Sequence, residues 1–153
     1  MDQGSHLIDL VNYFCGNLKL HSAYTDNLYW HSNLEDLAFV ILKGKNMVAN
    51  LSATCIEWKN VFMCEIILKR AKIQIDGLGK SYGREKLTLY TMNSEMGPPM
   101  INEFSFQEED LSWKRENNAF FKRIRFNDIS DKSLNDAIYV MNIVKKVYSQ
   151  NKL

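Results

Sequence analysis

An aspartate and a histidine four residues apart, Asp2 and His6, stand in the opening stretch "MDQGSHLIDL". On a helix such a pair lies one turn apart on one face. Histidine is the side chain suited to exchanging a proton near neutral pH. A neighbouring carboxylate can orient the ring and stabilise the imidazolium that forms. Asp9 follows at i+3 from His6, on nearly the same stripe. The chemistry open to this trio is proton transfer at a hydroxyl. The same spacing also suits a capping Asp2 and an ordinary surface histidine, because such pairs are common on helices.

A second group is "EWKN". Trp58 could stack on the apolar face of a sugar ring, while Lys59 and Asn60 donate to hydroxyls or a phosphate. The structural alternative is a strand end with a core tryptophan and a solvated lysine. Tyr82 and Arg84 of "KSYGRE" could reach a ligand or a neighbouring subunit, or simply serve their loop. His21 and His31 lack acidic or cysteine partners at metal spacing, so no metal site is expected. Cys15, Cys55 and Cys64 are odd in number, form no CxxC pair and sit among apolar neighbours. They read as buried, reduced thiols of a cytoplasmic protein.

The elements that must position these groups follow from periodicity. Leu7, Leu10, Val11 and Phe14 recur at i, i+3, i+4, i+7 and predict a helix over about 5–15 with that face in the core; Gly16 terminates it. "LKLHSAYT", "LAFVILKG", "NMVANLSATCIEW", "VFMCEIILK", "AKIQIDGL" and "KLTLYTM" read as strands joined by short polar breaks, which favours antiparallel pairing. "NSEMGPPM" reads as a loop and "INEFSF" as one more strand. Two closing helices are expected. The first places Trp113, Phe120, Phe121 and Ile124 in the core. The second is capped by Ser130 or Asp131 and buries Leu134, Ile138, Met141, Val144 and Tyr148. The reading is a single α+β domain over 1–153, an open, mainly antiparallel sheet with helices packed on one face. The opposite sheet face, apolar at successive positions, predicts a homodimer or tetramer.

With 19 basic and 18 acidic residues among 153, the chain carries no electrostatic footprint for nucleic acid. No apolar run reaches the roughly 20 residues of a membrane span, so no membrane partner is expected.

"DQGSHLID" resembles the D-x-G-x-H-x-I-D signature opening the C-terminal domain of the glucose–fructose oxidoreductase / inositol dehydrogenase family, Gfo/Idh/MocA. "GNLKLHSAY", the stretch from "ATCIEWKN" to "KLTLY", "SWKRENNAFFKRI" and "DAIYVMNIVKKVYSQ" are similar to its later elements, above all in sugar dehydrogenases of surface-polysaccharide pathways. The resemblance implies the substrate-binding and oligomerisation half of an NAD(P)-dependent sugar or sugar-nucleotide dehydrogenase. His6 would then be the base, Asp2 its partner or relay, and Asp9, Trp58 and Lys59 contacts to substrate. Family members usually carry an N-terminal Rossmann domain and a Lys-Pro motif, and neither is found here. The glycines of "GLGKSYG" open no βαβ unit, which a dinucleotide fingerprint requires. The expectation is therefore a chain that begins at the domain junction, needs NAD or NADP only in the full-length enzyme, and is inactive and cofactor-free alone. The rival expectation is a stand-alone interaction or ligand-binding domain without redox activity.

Overall fold

The computed structural model describes residues 2–106, 109–129 and 132–150. In chain order the elements are α1 (Asp2–Cys15), β1 (Lys19–Asp26), β2 (Leu37–Lys43), β3 (Val48–Thr54), β4 (Met63–Ile67), β5 (Ala71–Asp76), β6 (Glu85–Thr91), β7 (Met100–Phe106), α2 (Ser112–Arg125) and α3 (Lys132–Gln150). The α+β class and the antiparallel pairing stand as expected. The strands, however, divide into two sheets, β1-β2-β3 and β4-β5-β6-β7, rather than one. They belong to two compact units, Met1–Ile56 with Ile129–Leu153, and Glu57–Asp128. The expected cap of α3, Ser130 or Asp131, lies outside the described residues.

In the first unit α1 and α3 pack on the three-stranded sheet. The core is Ile8 of α1, Leu18, Val40 and Leu42 of β2, and Val140, Ile143, Val144 and Val147 of α3. Both helices turn a different stripe inward from the one expected. In α1 it is Ile8, Val11, Asn12 and Cys15, while Phe14 is exposed. Asn12 is buried with its amide satisfied, Nδ2 donating to Asp136 of α3 at 2.9 Å. In α3 only Val144 of the expected stripe is buried, and Leu134, Ile138 and Met141 are exposed. That helix carries two apolar stripes at the same period, and the β-branched one faces the sheet.

Tyr139 fastens α3 to the chain leading into β1. Its hydroxyl donates to the Leu18 carbonyl at 2.9 Å and accepts from the Leu18 amide at 3.1 Å. Because Leu18 is buried, Tyr139→Phe would leave two backbone groups unpaired there. We expect a loss of about 1–2 kcal/mol, read as a lower urea midpoint with unchanged slope.

In the second unit the register sorts side chains by face. Cys64, Ile75, Leu87 and Phe104 lie opposite one another, as do Ile66, Ile73 and Leu89. The other face carries Glu65, Gln74, Thr88 and Glu103 in one row. On it Lys72 pairs with Glu65, and Lys86 with Glu103 at 3.0 Å. The helix of this unit departs from expectation. α2 buries none of its residues, and Trp113, Phe120, Phe121 and Ile124 are all exposed. Periodicity shows which face of a helix is apolar, not whether another element covers it. None of the three cysteines is in a disulfide, but Cys55 is exposed and Cys15 and Cys64 are only half-buried, where buried thiols were expected.

Candidate functional site

α1 is held from behind by Ile8, Val11 and Cys15, and it presents Asp2, His6 and Asp9 on the exposed side. Helix geometry brings His6 within one turn of each carboxylate. Near the helix start Ser5 Oγ donates back to the Asp2 carbonyl at 2.8 Å. Among the described residues His6 has no hydrogen bond or ion pair, leaving both ring nitrogens open to an incoming group. Glycine 16 closes the helix in a left-handed conformation, φ +70°, its amide bonding to the Asn12 carbonyl at 2.9 Å.

Trp58 and Lys59 lie in the loop between β3 and β4, within the second unit, and both are exposed. Trp58 has φ +61°. For a bulky side chain that backbone is strained, of order 1–2 kcal/mol. The alternative of a core tryptophan is excluded by its 84% exposure. Tyr82 and Arg84 follow in the β5–β6 loop. Arg84 lines an open cleft of about 490 Å3 together with Lys80, Glu85, Glu109, Asp110 and Arg115. There Asp110 is held below the ordinary carboxylate range, first by the Ser112 amide and hydroxyl, then by the Lys80 and Arg115 cations, against the opposing effect of burial. Among the described residues no three His, Cys, Asp or Glu side chains converge as metal ligands.

A match to a family model lies in the first half of the chain. Residues 1–74 match the model of the GFO/IDH/MocA C-terminal domain. That segment is similar to this domain over 74 of the 153 residues. It contains Asp2, His6, Asp9, Trp58 and Lys59. The chain is also similar in fold to yvaA of Bacillus subtilis, named as a proposed oxidoreductase, at 17% identity and a TM-score of 0.75, covering 99% of this chain and 49% of that one. A proposed oxidoreductase of Yersinia pestis aligns at 12% identity and TM-score 0.71 over 97% and 46%. A third, from Desulfitobacterium hafniense and named as a proposed NADPH-dependent oxidoreductase, aligns at 16% identity and TM-score 0.71 over 98% and 46%. This chain therefore spans about half the length of these structures. No match is found among curated proteins. Among the described residues no helix is long and apolar enough to cross a membrane.

Sequence reasoning missed the β1–β2 loop. Asp36 is only 3% exposed, and its carboxylate accepts the amides of Leu28, Tyr29 and Trp30 at 3.1, 2.6 and 3.1 Å. Asn27 Nδ2 donates to the Ser32 carbonyl at 2.7 Å and to that of Leu34. The loop thus holds Tyr29 and Trp30 edge to face, centroids 5.0 Å apart, with both rings about half exposed. An aspartate bounding an aromatic run was the available signal.

Burial alone would raise the Asp36 carboxyl, but the three amides outweigh it and hold it below the usual aspartate value. A depressed folded-state pKa means that this contribution to stability is complete above about pH 3.9, the unfolded value. It is lost as the pH falls through the lower folded value. Asp36→Ala should remove it at every pH. We expect protease cutting between residues 27 and 35 to appear in that variant at neutral pH, and in the native chain only in strong acid.

Proposed function

We propose that this chain is the substrate-binding and oligomerisation half of an NAD(P)-dependent sugar or sugar-nucleotide dehydrogenase, with Asp2 and His6 as its proton-handling pair. The observation that carries the reading is α1 itself: an exposed Asp–His–Asp side on a helix whose other side is packed, within the segment that matches the family. Oxidising a CH–OH group removes a hydride and a proton. A nicotinamide, when bound to the complete enzyme, accepts the hydride. His6 takes the proton from the hydroxyl, and Asp2 favours the imidazolium by charge and orientation. Asp9 accepts a second hydroxyl of the sugar; in the second unit, taken by itself, exposed Trp58 is suited to stacking on a sugar ring and Lys59 to supplying a donor or a cation.

Among the described residues the strands β1 to β7 pair antiparallel, whereas a pyrophosphate cradle needs a glycine turn entering a helix between parallel strands. Saturation-transfer NMR of the chain against free sugars and sugar nucleotides tests the reading. Binding of one class, weakened in His6→Ala and in Trp58→Ala, is the expected result. Micromolar binding of NAD(H) by calorimetry, or no sugar ligand in either class, would overturn it.

Self-association is the other half of the proposal. The apolar face of β4–β7 carries Ile66, Ile73, Ile75, Leu87 and Leu89, all only half-buried, and Phe104, which is 52% exposed. A twofold contact would remove that liability. Sedimentation at micromolar concentration should show a dimer or tetramer, and Leu87→Lys should dissociate it. A monomer at all concentrations would refute this half alone.

A further inference from the structure

The cluster at the opposite end of α1 belongs to no part of that reading. A cleft of about 460 Å3 lies where the chain leaves α1 and where the β2–β3 hairpin turns, lined by Asn17, Lys19, His21, Lys43, Gly44 and Lys45. Four of these side chains are basic and none is a carboxylate. Along the helix axis it stands about 14 Å beyond His6, nine residues at the helical rise.

Three features distinguish the cluster from ordinary surface lysines. First, Lys19 and Lys43 are direct cross-strand partners in the β1–β2 ladder. Like charges placed directly opposite destabilise a sheet, so this pairing works against the fold. Second, the ladder shifts register between Leu20 and Ser22, which makes His21 the extra residue of a β-bulge. His21 lies two residues from Lys19, on the same face of β1, and the extra residue leaves it without a cross-strand partner beside the lysine pair. Third, among the described residues none of the three lysines has an ion-pair partner, although acidic side chains are nearly as numerous in this chain as basic ones. The floor is close-packed: a Cβ on Gly44 would stand 2.8 Å from Leu18 Cδ2. A side chain there would have to displace the buried leucine beneath the cleft.

From this geometry we infer a binding site for a compact phosphate-bearing anion, of the diphosphate class, held by Lys19, Lys43 and Lys45 with His21 and Asn17 as further donors. Multiple convergent cations with amide and imidazole donors suit a group that offers several acceptor oxygens and two or more negative charges. The volume falls in the range of small-molecule sites. A duplex or a bilayer would call for a longer basic stripe, which a chain of net charge +1 does not display. The diphosphate could belong to a free metabolite or to a lipid headgroup, and the test separates the two.

Calorimetry of the whole chain with inorganic pyrophosphate at low salt should show one saturable site, weakening as salt rises to about 0.15 M. Lys19→Ala and Lys43→Ala should each weaken binding roughly tenfold, the worth of a charge-assisted hydrogen bond. Neither should lower the melting temperature, since each removes one of two opposed like charges. In the native chain pyrophosphate should also shift the His21 ring resonances and leave those of His6 in place. Binding to vesicles containing anionic phospholipid, without binding of pyrophosphate in solution, would overturn the small-molecule site in favour of a membrane surface. Absence of saturable heat, or undiminished binding in both lysine variants, would overturn the site altogether.

Discussion

His6→Ala in the complete, cofactor-bearing enzyme is expected to lower turnover by roughly two to four orders of magnitude, the usual worth of a positioned general base. The expectation rests on the proposed role and on the placement of His6: exposed, backed by the packed side of α1 and without a competing partner among the described residues. Asp2→Asn should cost less, because it keeps the size and a hydrogen-bonding capacity while removing the charge that favours the imidazolium. The two substitutions should not add. Once His6 is gone, Asp2 has no ring to orient, so Asp2→Asn on a His6→Ala background should be close to silent. The pH profile offers a second readout, since the limb reporting the base should vanish in His6→Ala and shift in Asp2→Asn. Near-native turnover in His6→Ala would show that another group takes the proton.

How much of this was legible in the sequence depended on whether a local pattern has one structural solution. Alternation of apolar and polar residues over 71–76 and 85–91 admits a half-covered strand and little else, and β5 and β6 lie there. Gly16 after a helical stretch likewise has one ready use, and it closes α1. In α1 and α3, by contrast, two overlapping stripes satisfy the same period. Only tertiary partners that sequence spacing does not reveal, such as Asp136 for Asn12, decide which one faces inward. Asp2, His6 and Asp9, to which the proposed roles are given, could be grouped from the sequence because they are neighbours in it. The basic cleft could not be, since Lys19 and His21 meet Lys43 and Lys45 only through the β1–β2 register. Trp58 was ambiguous for a third reason: a tryptophan at a strand end can face either way. The strand stops at Thr54, and the left-handed backbone at Trp58 leaves the indole outside the core.

The largest stability effect should come from Leu42→Ala. Leu42 lies in the central strand of the three-stranded sheet, fully buried and in a cluster with Ile8 and Leu18 and the inward stripe of α3. Removing its terminal methyls gives up their transfer free energy and leaves a cavity between two helices and a sheet that cannot fully collapse, a loss of about 2–5 kcal/mol. Small domains are stable by only about 5–15 kcal/mol, so this change removes a large fraction of the total. Phe121→Ala on α2 takes away a larger side chain, yet Phe121 is 64% exposed. Its loss should stay within about 0.5 kcal/mol, as for other surface sites. The contrast is the informative measurement, because hydrophobicity and helical periodicity alone would rank the phenylalanine above the leucine. Urea unfolding of both variants beside the native chain should give a much lower midpoint for Leu42→Ala and an almost unmoved one for Phe121→Ala. Equal losses would mean that the aromatic side of α2 is covered in solution, and that the exposure assigned to it is wrong.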